Sequence, residues 1–298
     1  MFSIVIPVYN KEYSIGRTLE SISEQSFKRF ELVLVNDGST DQSLKVINDF
    51  INTYPNLDII LIDQKNQGVS VARNVGVANS KYEFICFLDA DDNWETDFLS
   101  IYNKYIDKYS DAGLWISGYK INNENSIMHL SEGYIDSFFD ISSRKTILHT
   151  SAVCVRKSIL LDIGGFPAGE KVGEDLYVWA RIAEKYIFCY IPYCLVNVVQ
   201  EEDSSRGGRD NVNPYILEYY SVNKDKLRNK ELKKYLIYIY FVHLVDLCRK
   251  RNFRAWVKRW LFGFKLFPLV TLIIFIPSLI PVSLLKKVKS KRLCCINM

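Results

Sequence analysis

The tetrapeptide Asp89-Ala90-Asp91-Asp92 places three carboxylates within four residues, directly after the apolar run Phe84-Ile85-Cys86-Phe87-Leu88. Five apolar residues bounded by acids are too few for a helix and read as a buried parallel strand running out into a polar turn. Ligands of open α/β sheets sit beyond the carboxyl ends of the strands, so a polar ligand would be met here. Carboxylates spaced Asp-x-Asp at such an exit can put oxygens on a divalent cation that keeps some waters and bridges substrate phosphates. A second reading fits the same residues. Asp91, Asp92 and Asn93 precede an amphipathic run over 94–109, and acids are also what a helix N-terminus prefers.

The elements that would position this turn lie upstream. Ile4-Val5-Ile6-Pro7-Val8 reads as a first buried strand, Glu31-Leu32-Val33-Leu34-Val35 as a second and Ile59-Ile60-Leu61-Ile62 as a third. Between them, Ile15, Leu19 and Ile22, then Leu44, Ile47 and Ile51, recur at helical spacing, and Asn66-Gln67-Gly68 leads into a helix holding Ala72, Arg73 and Ala78. Strands alternating with helices of this length build a parallel sheet through right-handed crossovers. The strand exits carry Tyr9 and Asn10, then Asp37, then Asn66, then the acids at 89–92, so the polar residues converge on one edge. No glycine-rich phosphate loop follows the first strand, which strengthens the case for a metal ion as the phosphate partner.

Past Asp111 the pattern changes to shorter strands at 114–117, 152–155, 187–190 and 195–199. Gly164-Gly165-Phe166-Pro167 reads as a tight turn, and Gly173-Glu174-Asp175 opens a helix bearing Trp179. Residues 201–213, polar and glycine-containing, read as a mobile loop carrying Arg206 and Arg209.

The net charge of +4 conceals a division: residues 1–223 carry −11 and residues 224–298 carry +15. Such asymmetry points to a basic tail with an anionic partner. Residues 266–285 form an uncharged stretch of 20, interrupted by Pro268, Pro277 and Pro281 and flanked by lysines and arginines on both sides. Basic flanks at both ends favour an in-plane or re-entrant segment on an anionic membrane surface over a simple crossing, with Trp256 and Trp260 suited to an interface belt or to a buried face. Lipid is a simpler partner for this stretch than nucleic acid. His243, on the apolar face of the preceding helix, reads as a packed or satisfied side chain. Seven scattered cysteines and a start without a basic leader place the working end in a reducing, cytoplasmic compartment, at the inner face of the cell membrane.

Taken in order, Ile6-Pro7-Val8-Tyr9-Asn10, Val35-Asn36-Asp37-Gly38-Ser39-Thr40-Asp41, Asn66-Gln67-Gly68 with Ala72-Arg73-Asn74-Val75-Gly76, Leu88-Asp89-Ala90-Asp91-Asp92, and Gly164-Gly165-Phe166 with Gly173-Glu174-Asp175 resemble family 2 glycosyltransferases of the GT-A fold. The resemblance covers about the first two-thirds of the chain. It implies an α/β fold, a Rossmann-like mixed sheet with helices on both faces, as a catalytic domain over 1–213. A helical extension over 214–255 and a basic, apolar, membrane-associating segment over 256–298 would follow. In similar enzymes, Pro7, Tyr9, Asn10 and Asn66 would line the donor nucleotide, Asp37 would accept from the base, and Arg73 would lie near base or diphosphate. Asp89 would face the ribose or metal, and Asp91 would ligate Mg²⁺ or Mn²⁺. Asn36 departs from the family pattern, which often has an Asp there.

The resemblance makes Asp175 the general base for an acceptor hydroxyl, although Glu174-Asp175 at a helix start also suits the helix dipole. Asp92, Glu174, Trp179, Arg206 and Arg209 are further candidates: Trp179 as an acceptor platform or as core, the arginines as a lid over the diphosphate or as solvated loop. No Gln/Arg-x-x-Arg-Trp motif occurs, so transfer of a single hexosyl or N-acetylhexosaminyl unit is expected, from a UDP-sugar to a glycan or lipid-linked acceptor of a surface polysaccharide. Two other classes remain open: an inactive, membrane-bound sugar-nucleotide-binding module, and a sugar-nucleotide nucleotidyltransferase, which would need a glycine-rich basic first loop that Tyr9-Asn10-Lys11-Glu12 does not supply.

Overall fold

The computed structural model describes residues 1–121, 124–125, 130–145, 147–199 and 209–278. The chain divides into two compact units: residues 1–136, 147–170 and 174–202 form the first, and residues 137–146, 171–173 and 203–298 the second.

The first unit opens with β1 (Phe2–Val8), α1 (Ile15–Ser23), β2 (Phe30–Asp37), α2 (Ser43–Thr53), β3 (Ile59–Gln64), α3 (Val69–Asn79) and β4 (Phe84–Phe87). β5 (Asn93–Trp94), α4 (Phe98–Lys108), β6 (Leu114–Ile121), β7 (Glu124–Asn125) and β8 (Gly133–Ile135) follow, and then α5 (Phe138–Ser142), which belongs to the second unit. β9 (Val153–Arg156), α6 (Lys157–Asp162), α7 (Glu174–Ala183) and β10 (Phe188–Val198) complete it.

The sheet runs β3-β2-β1-β4-β9-β6-β10-β5, with β7 on β6 and β8 on β10. The first four strands are parallel; β1, β2 and β4 are almost wholly buried, as their continuous apolar runs suit, and β3 is the half-buried edge. β9 then enters antiparallel between β4 and β6, with Cys86 opposite Cys154, and makes the sheet mixed. Among the described residues the cysteines are thiols.

The two strands expected at 187–190 and 195–199 form the single strand β10 (Phe188–Val198). Its register against β6 slips between Ile191 and Cys194 and again between Cys194 and Val196, around Pro192. Proline has no N–H for the ladder, so the strand absorbs it as an irregularity rather than ending there.

The acids at 89–92 do not begin a helix. Asp92 N donates to Asp89 O at 3.0 Å in a turn, β5 follows, and α4 starts only after Asp97. That leaves three carboxylates at the end of β4 with no helix to cap.

The second unit holds α5, α8 (Tyr215–Val222), α9 (Lys230–Arg249), α10 (Phe253–Leu266) and α11 (Pro268–Ser278). Asn229 caps α9 by accepting from the backbone of Glu231 and Leu232. Phe138 and Phe139 of α5 pack on Tyr235 of α9 at 5.8 and 5.7 Å. Trp256 and Trp260, considered for a membrane belt, stack parallel at 6.2 Å, and Trp260 Nε1 donates to Thr271 O at 3.0 Å. Trp256 is buried, so this pair joins α10 to its neighbours instead of facing outward. His243 is held neutral, its pKa pushed down to about 3 by burial and then by Arg259 and Lys250. Of the uncharged stretch 266–285, residues 279–285 lie outside the described residues, as do the lysines and arginines that follow. No helix among the described residues is long and apolar enough to cross a membrane.

Candidate functional site

At the carboxyl ends of β1, β2 and β3, polar side chains tie neighbouring loops together. Asn10 takes a left-handed backbone at φ 50°, and its Oδ1 accepts from Thr40 N at 2.8 Å while its own N–H donates to Ser39 Oγ at 3.1 Å. Asp37, buried at the end of β2, accepts from Gln64 Nε2 at 2.7 Å and Gln67 N at 2.9 Å on Oδ1, and from Gly68 N at 2.8 Å on Oδ2. The carboxylate assigned to a base edge therefore also shapes the turn into α3, and these bonds use three of its four acceptor positions. Asn36 Nδ2 donates to Asp63 Oδ1 at 2.7 Å, so the position that departs from the family pattern is a neutral link between β2 and β3. Tyr9 and Asn66 are exposed at the same edge and Pro7 is half-buried. An open cleft of about 550 Å³ lies between these loops, lined in part by Gly38, Ser39, Gln64 and Asn66.

The acids at the end of β4 meet residues from three other elements. Arg73 of α3, 5% exposed, donates from Nη2 to Asp89 Oδ1 at 2.8 Å, places Nη1 3.9 Å from Glu174 Oε1, and lies over the Phe166 ring at 5.2 Å. Burial alone would lower the Arg73 pKa, but Asp89, Glu174 and Asp175 together raise it. The next residue, Asn74, fixes the backbone of Phe166: Nδ2 donates to Phe166 O at 2.7 Å and Oδ1 accepts from Phe166 N at 2.8 Å.

Asp91, the expected metal ligand, is ion-paired with Lys11, Nζ to Oδ2 at 2.7 Å. The donor atoms that converge are those of Asp89, Asp92 and His149, all within 4.8 Å of one another. Asp92 is 2% exposed. Its Oδ2 accepts from Ser151 Oγ at 2.5 Å and Oδ1 from Val199 N at 3.2 Å. Burial, with the charges of Asp89 and Asp91, pushes its pKa up to about 8. Crowding by protein lowers the His149 pKa against the fields of Asp89, Asp175 and Asp91, so the ring is a neutral nitrogen donor at pH 7. Ser151 organises the group. Besides bonding Asp92, its Oγ accepts from Asp89 N at 3.1 Å and its N–H donates to His149 Nδ1 at 3.3 Å.

Asp175 sits in the first turn of α7 with Oδ1 accepting from Leu176 N at 2.7 Å. Burial first, then Glu174, raises its pKa to about 6 despite the opposing charge of Arg73. A carboxylate at a helix N-terminus would normally be held low. Here it is poised near neutrality, as a general base needs.

Asp89 and Asp92 thus meet at His149, Arg73 ties Asp89 to Glu174, and the charges of Asp91 and Asp175 also act on His149, while Pro7, Tyr9, Asn10, Asp37 and Asn66 lie along the exits of β1 to β3. Of its two readings, Trp179 is core: 1% exposed, it packs edge-on against Phe166 at 5.9 Å and tilted against Phe87 at 6.4 Å, and offers no face to a sugar. Arg209 begins a 3₁₀ turn in the second unit, and Arg206 lies outside the described residues. Lys11, His149 and Ser151 were not singled out from the sequence. The only local signal was a histidine and a serine two residues apart ahead of a predicted strand.

The model of glycosyl transferase family 2 matches residues 3–163, which contain both the loops at the ends of β1 to β3 and the acid cluster. The chain belongs to that family. The glycosyltransferase GlyA of Streptococcus pneumoniae is 34% identical over 204 residues, 62% of this chain and 29% of GlyA. The minor teichoic acid biosynthesis protein GgaA of Bacillus subtilis is 41% identical over 113 residues, 36% of this chain and 25% of GgaA. The chain therefore spans between a quarter and a third of these family members' lengths. In fold it is similar to S. aureus TarS 1–349, crystallised with UDP-GlcNAc, at a TM-score of 0.71 and 21% identity, covering 89% of this chain and 81% of that one. That match establishes the GT-A architecture of the family 2 chain.

Proposed function

We propose that the chain is an inverting, metal-dependent glycosyltransferase that moves one sugar from a nucleotide-diphospho-sugar, a UDP-sugar foremost, to a hydroxyl of a glycan or lipid-linked acceptor. The observation that carries this reading is the convergence of the Asp89, Asp92 and His149 donor atoms within 4.8 Å of one another, with Asp89 tied through Arg73 to Glu174, the neighbour of Asp175. The acceptor oxygen forms its bond to the anomeric carbon on the face opposite the diphosphate. The bond from that carbon to the diphosphate oxygen breaks, its electron pair leaves with the diphosphate, and the hydroxyl proton passes to a carboxylate oxygen of Asp175. Attack from the opposite face inverts the anomeric configuration.

The residues present fit a divalent cation. Two carboxylates and a neutral imidazole offer three donors, and Asp92, with its pKa near 8, is a carboxyl whose ionised form lacks a compensating charge. Mg²⁺ or Mn²⁺ held by Asp89, Asp92 and His149 would supply charge neutralisation for the departing diphosphate. Asp37, Asn10, Tyr9 and Asn66 would orient the nucleotide, which is consistent with the UDP-GlcNAc of TarS, and Arg73 would hold Asp89 in place. The naming of GgaA as a minor teichoic acid biosynthesis protein supports a surface polysaccharide as the destination.

The test is a panel of nucleotide sugars with Mn²⁺ or Mg²⁺, followed by donor loss and product anomer. Asp175→Asn should lower kcat by about 10²–10⁴-fold while donor binding persists. Undiminished transfer by that variant, or donor binding with no turnover across the acceptors tried, overturns the reading.

A further inference from the structure

The helices α10 and α11 present a second surface of definite chemistry. Their inner faces are accounted for: Ala255, Trp256, Arg259, Gly263 and Leu266 of α10 are buried, and Gly263 is a glycine because Tyr240 occupies the space a Cβ would need. Their outer faces are not uniformly polar, as a solvated face would be. Phe253, Val257 and Leu261 of α10 and Leu269, Leu272 and Ile273 of α11 are between 46% and 75% exposed.

The exposed residues are ordered. Phe253, Val257 and Leu261 recur every four positions and cover an arc of about 80° at roughly 100° per residue, and Arg254, Lys258 and Lys265 fill the adjoining arc of about 40°. Leu269, Leu272 and Ile273 share one face of α11 at spacings of three and four. Residues 251–273 contain Arg251, Arg254, Lys258, Arg259 and Lys265 and no acid. A protein partner would have to match a broad aliphatic face and a row of cations together. An anionic bilayer surface matches both, because acyl chains receive the aliphatic stripe and the cations reach out beside it to phosphates. At about 1.5 Å per residue, the 14 residues of α10 fall short of the roughly 30 Å hydrocarbon layer, and its aliphatic and basic arcs lie side by side along its length, as suits a helix lying in the plane.

We propose that the outer face of α10 and α11 is an in-plane anchor for the anionic leaflet of a lipid bilayer, with Phe253, Val257, Leu261, Leu269, Leu272 and Ile273 entering the acyl boundary and Arg254, Lys258 and Lys265 meeting the headgroups. Trp256 and Trp260 serve it from inside by fixing α10 in register with α11. The proposal is independent of the sugar-transfer chemistry.

Its test uses the full chain with vesicles of phosphatidylcholine, alone or with phosphatidylglycerol, in a flotation assay. The wild-type protein should float with the anionic vesicles, and partitioning should fall steeply without phosphatidylglycerol, by about fivefold per engaged cation. Val257→Glu with Leu261→Glu should abolish flotation, and Arg254→Glu with Lys258→Glu should reduce it at least tenfold. All four substitutions are on exposed positions, so unchanged circular dichroism and melting temperature confirm that the fold is intact. Absence of wild-type flotation overturns the proposal, as does retention by the Val257→Glu, Leu261→Glu protein. A concentration-dependent dimer that the same pair of changes dissolves, without lipid binding, assigns the face to a second copy and equally overturns it.

Discussion

Arg73 Nη2 lies 2.8 Å from Asp89 Oδ1 with its guanidinium 5.2 Å above the Phe166 ring, so one buried cation joins α3, the end of β4 and the Gly164-Gly165 turn. Its charge also opposes the raised proton affinity of Asp175. Arg73→Ala should cost about 3 kcal/mol in urea unfolding, the low end for breaking a buried pair because Asp89 keeps some water. It should also move the acidic limb of kcat/KM to higher pH, since Asp175 loses the charge that holds its pKa down. A limb that stays in place would separate Arg73 from the base.

Much of this was legible in the chain, and the remainder was not for definable reasons. β1, β2 and β4 announce themselves because buried strands must be apolar almost throughout, and half-buried β3 by its four apolar residues, whereas the acids at 89–92 also suited a helix start until the turn and β5 after them removed that reading. Asp175 was legible only through the motif around it, since an acid at a helix start has an ordinary explanation. His149 and Ser151 were hidden because their meaning is tertiary: the Ser151–Asp92 bond spans 59 residues, and nothing periodic surrounds them. The two strands expected at 187–190 and 195–199 are one, because the register slips around Pro192 instead of the strand ending there.

The turn before α7 offers a test of packing against backbone strain. Gly164 and Gly165 both have positive φ, 86° and 71°, but a Cβ on Gly164 meets nothing within 4 Å whereas one on Gly165 would sit 2.6 Å from Asn74 Oδ1. Gly164→Ala should therefore cost only the backbone penalty, about 1 kcal/mol, and Gly165→Ala about 3 kcal/mol, because it also dislodges the amide that holds Phe166. In the Asn74→Ala background the extra cost of Gly165→Ala should shrink, a non-additivity that a double-mutant cycle in urea would read directly.

For Asp175, rate and stability should respond to pH in opposite directions. The folded-state pKa of about 6 stands above the ordinary 3.8, so the folded protein binds the extra proton between these values. Stability is therefore lost as pH rises from about 4 to 6, and Asp175→Asn should raise the melting temperature above pH 6. The base works only when ionised, so kcat/KM should climb through the same region and level off above it. A wild-type profile flat from pH 5 to 8, with Asp175→Asn no more stable than wild type, would remove the residue from the role.

Asp92 carries the prediction about the cation. Burial and two acidic neighbours hold its carboxyl protonated at pH 7, with a pKa near 8, whereas His149 is already neutral there. A cation bound by Asp89, Asp92 and His149 must displace the Asp92 proton, and the imidazole has none to give up. Calorimetric titration with Mn²⁺ at pH 7 in buffers of different ionisation enthalpy should therefore report about one proton released per cation, falling toward zero above pH 9. Asp92→Asn should abolish the release, and His149→Ala should weaken binding without changing the proton count. Ser151→Ala removes the hydroxyl that orients Asp92 at 2.5 Å and should weaken Mn²⁺ by about 10–100-fold, the usual loss when a ligand's supporting hydrogen bond is deleted. Binding with no proton released would instead place the cation on Asp91, in competition with Lys11, and Lys11→Met should then tighten it.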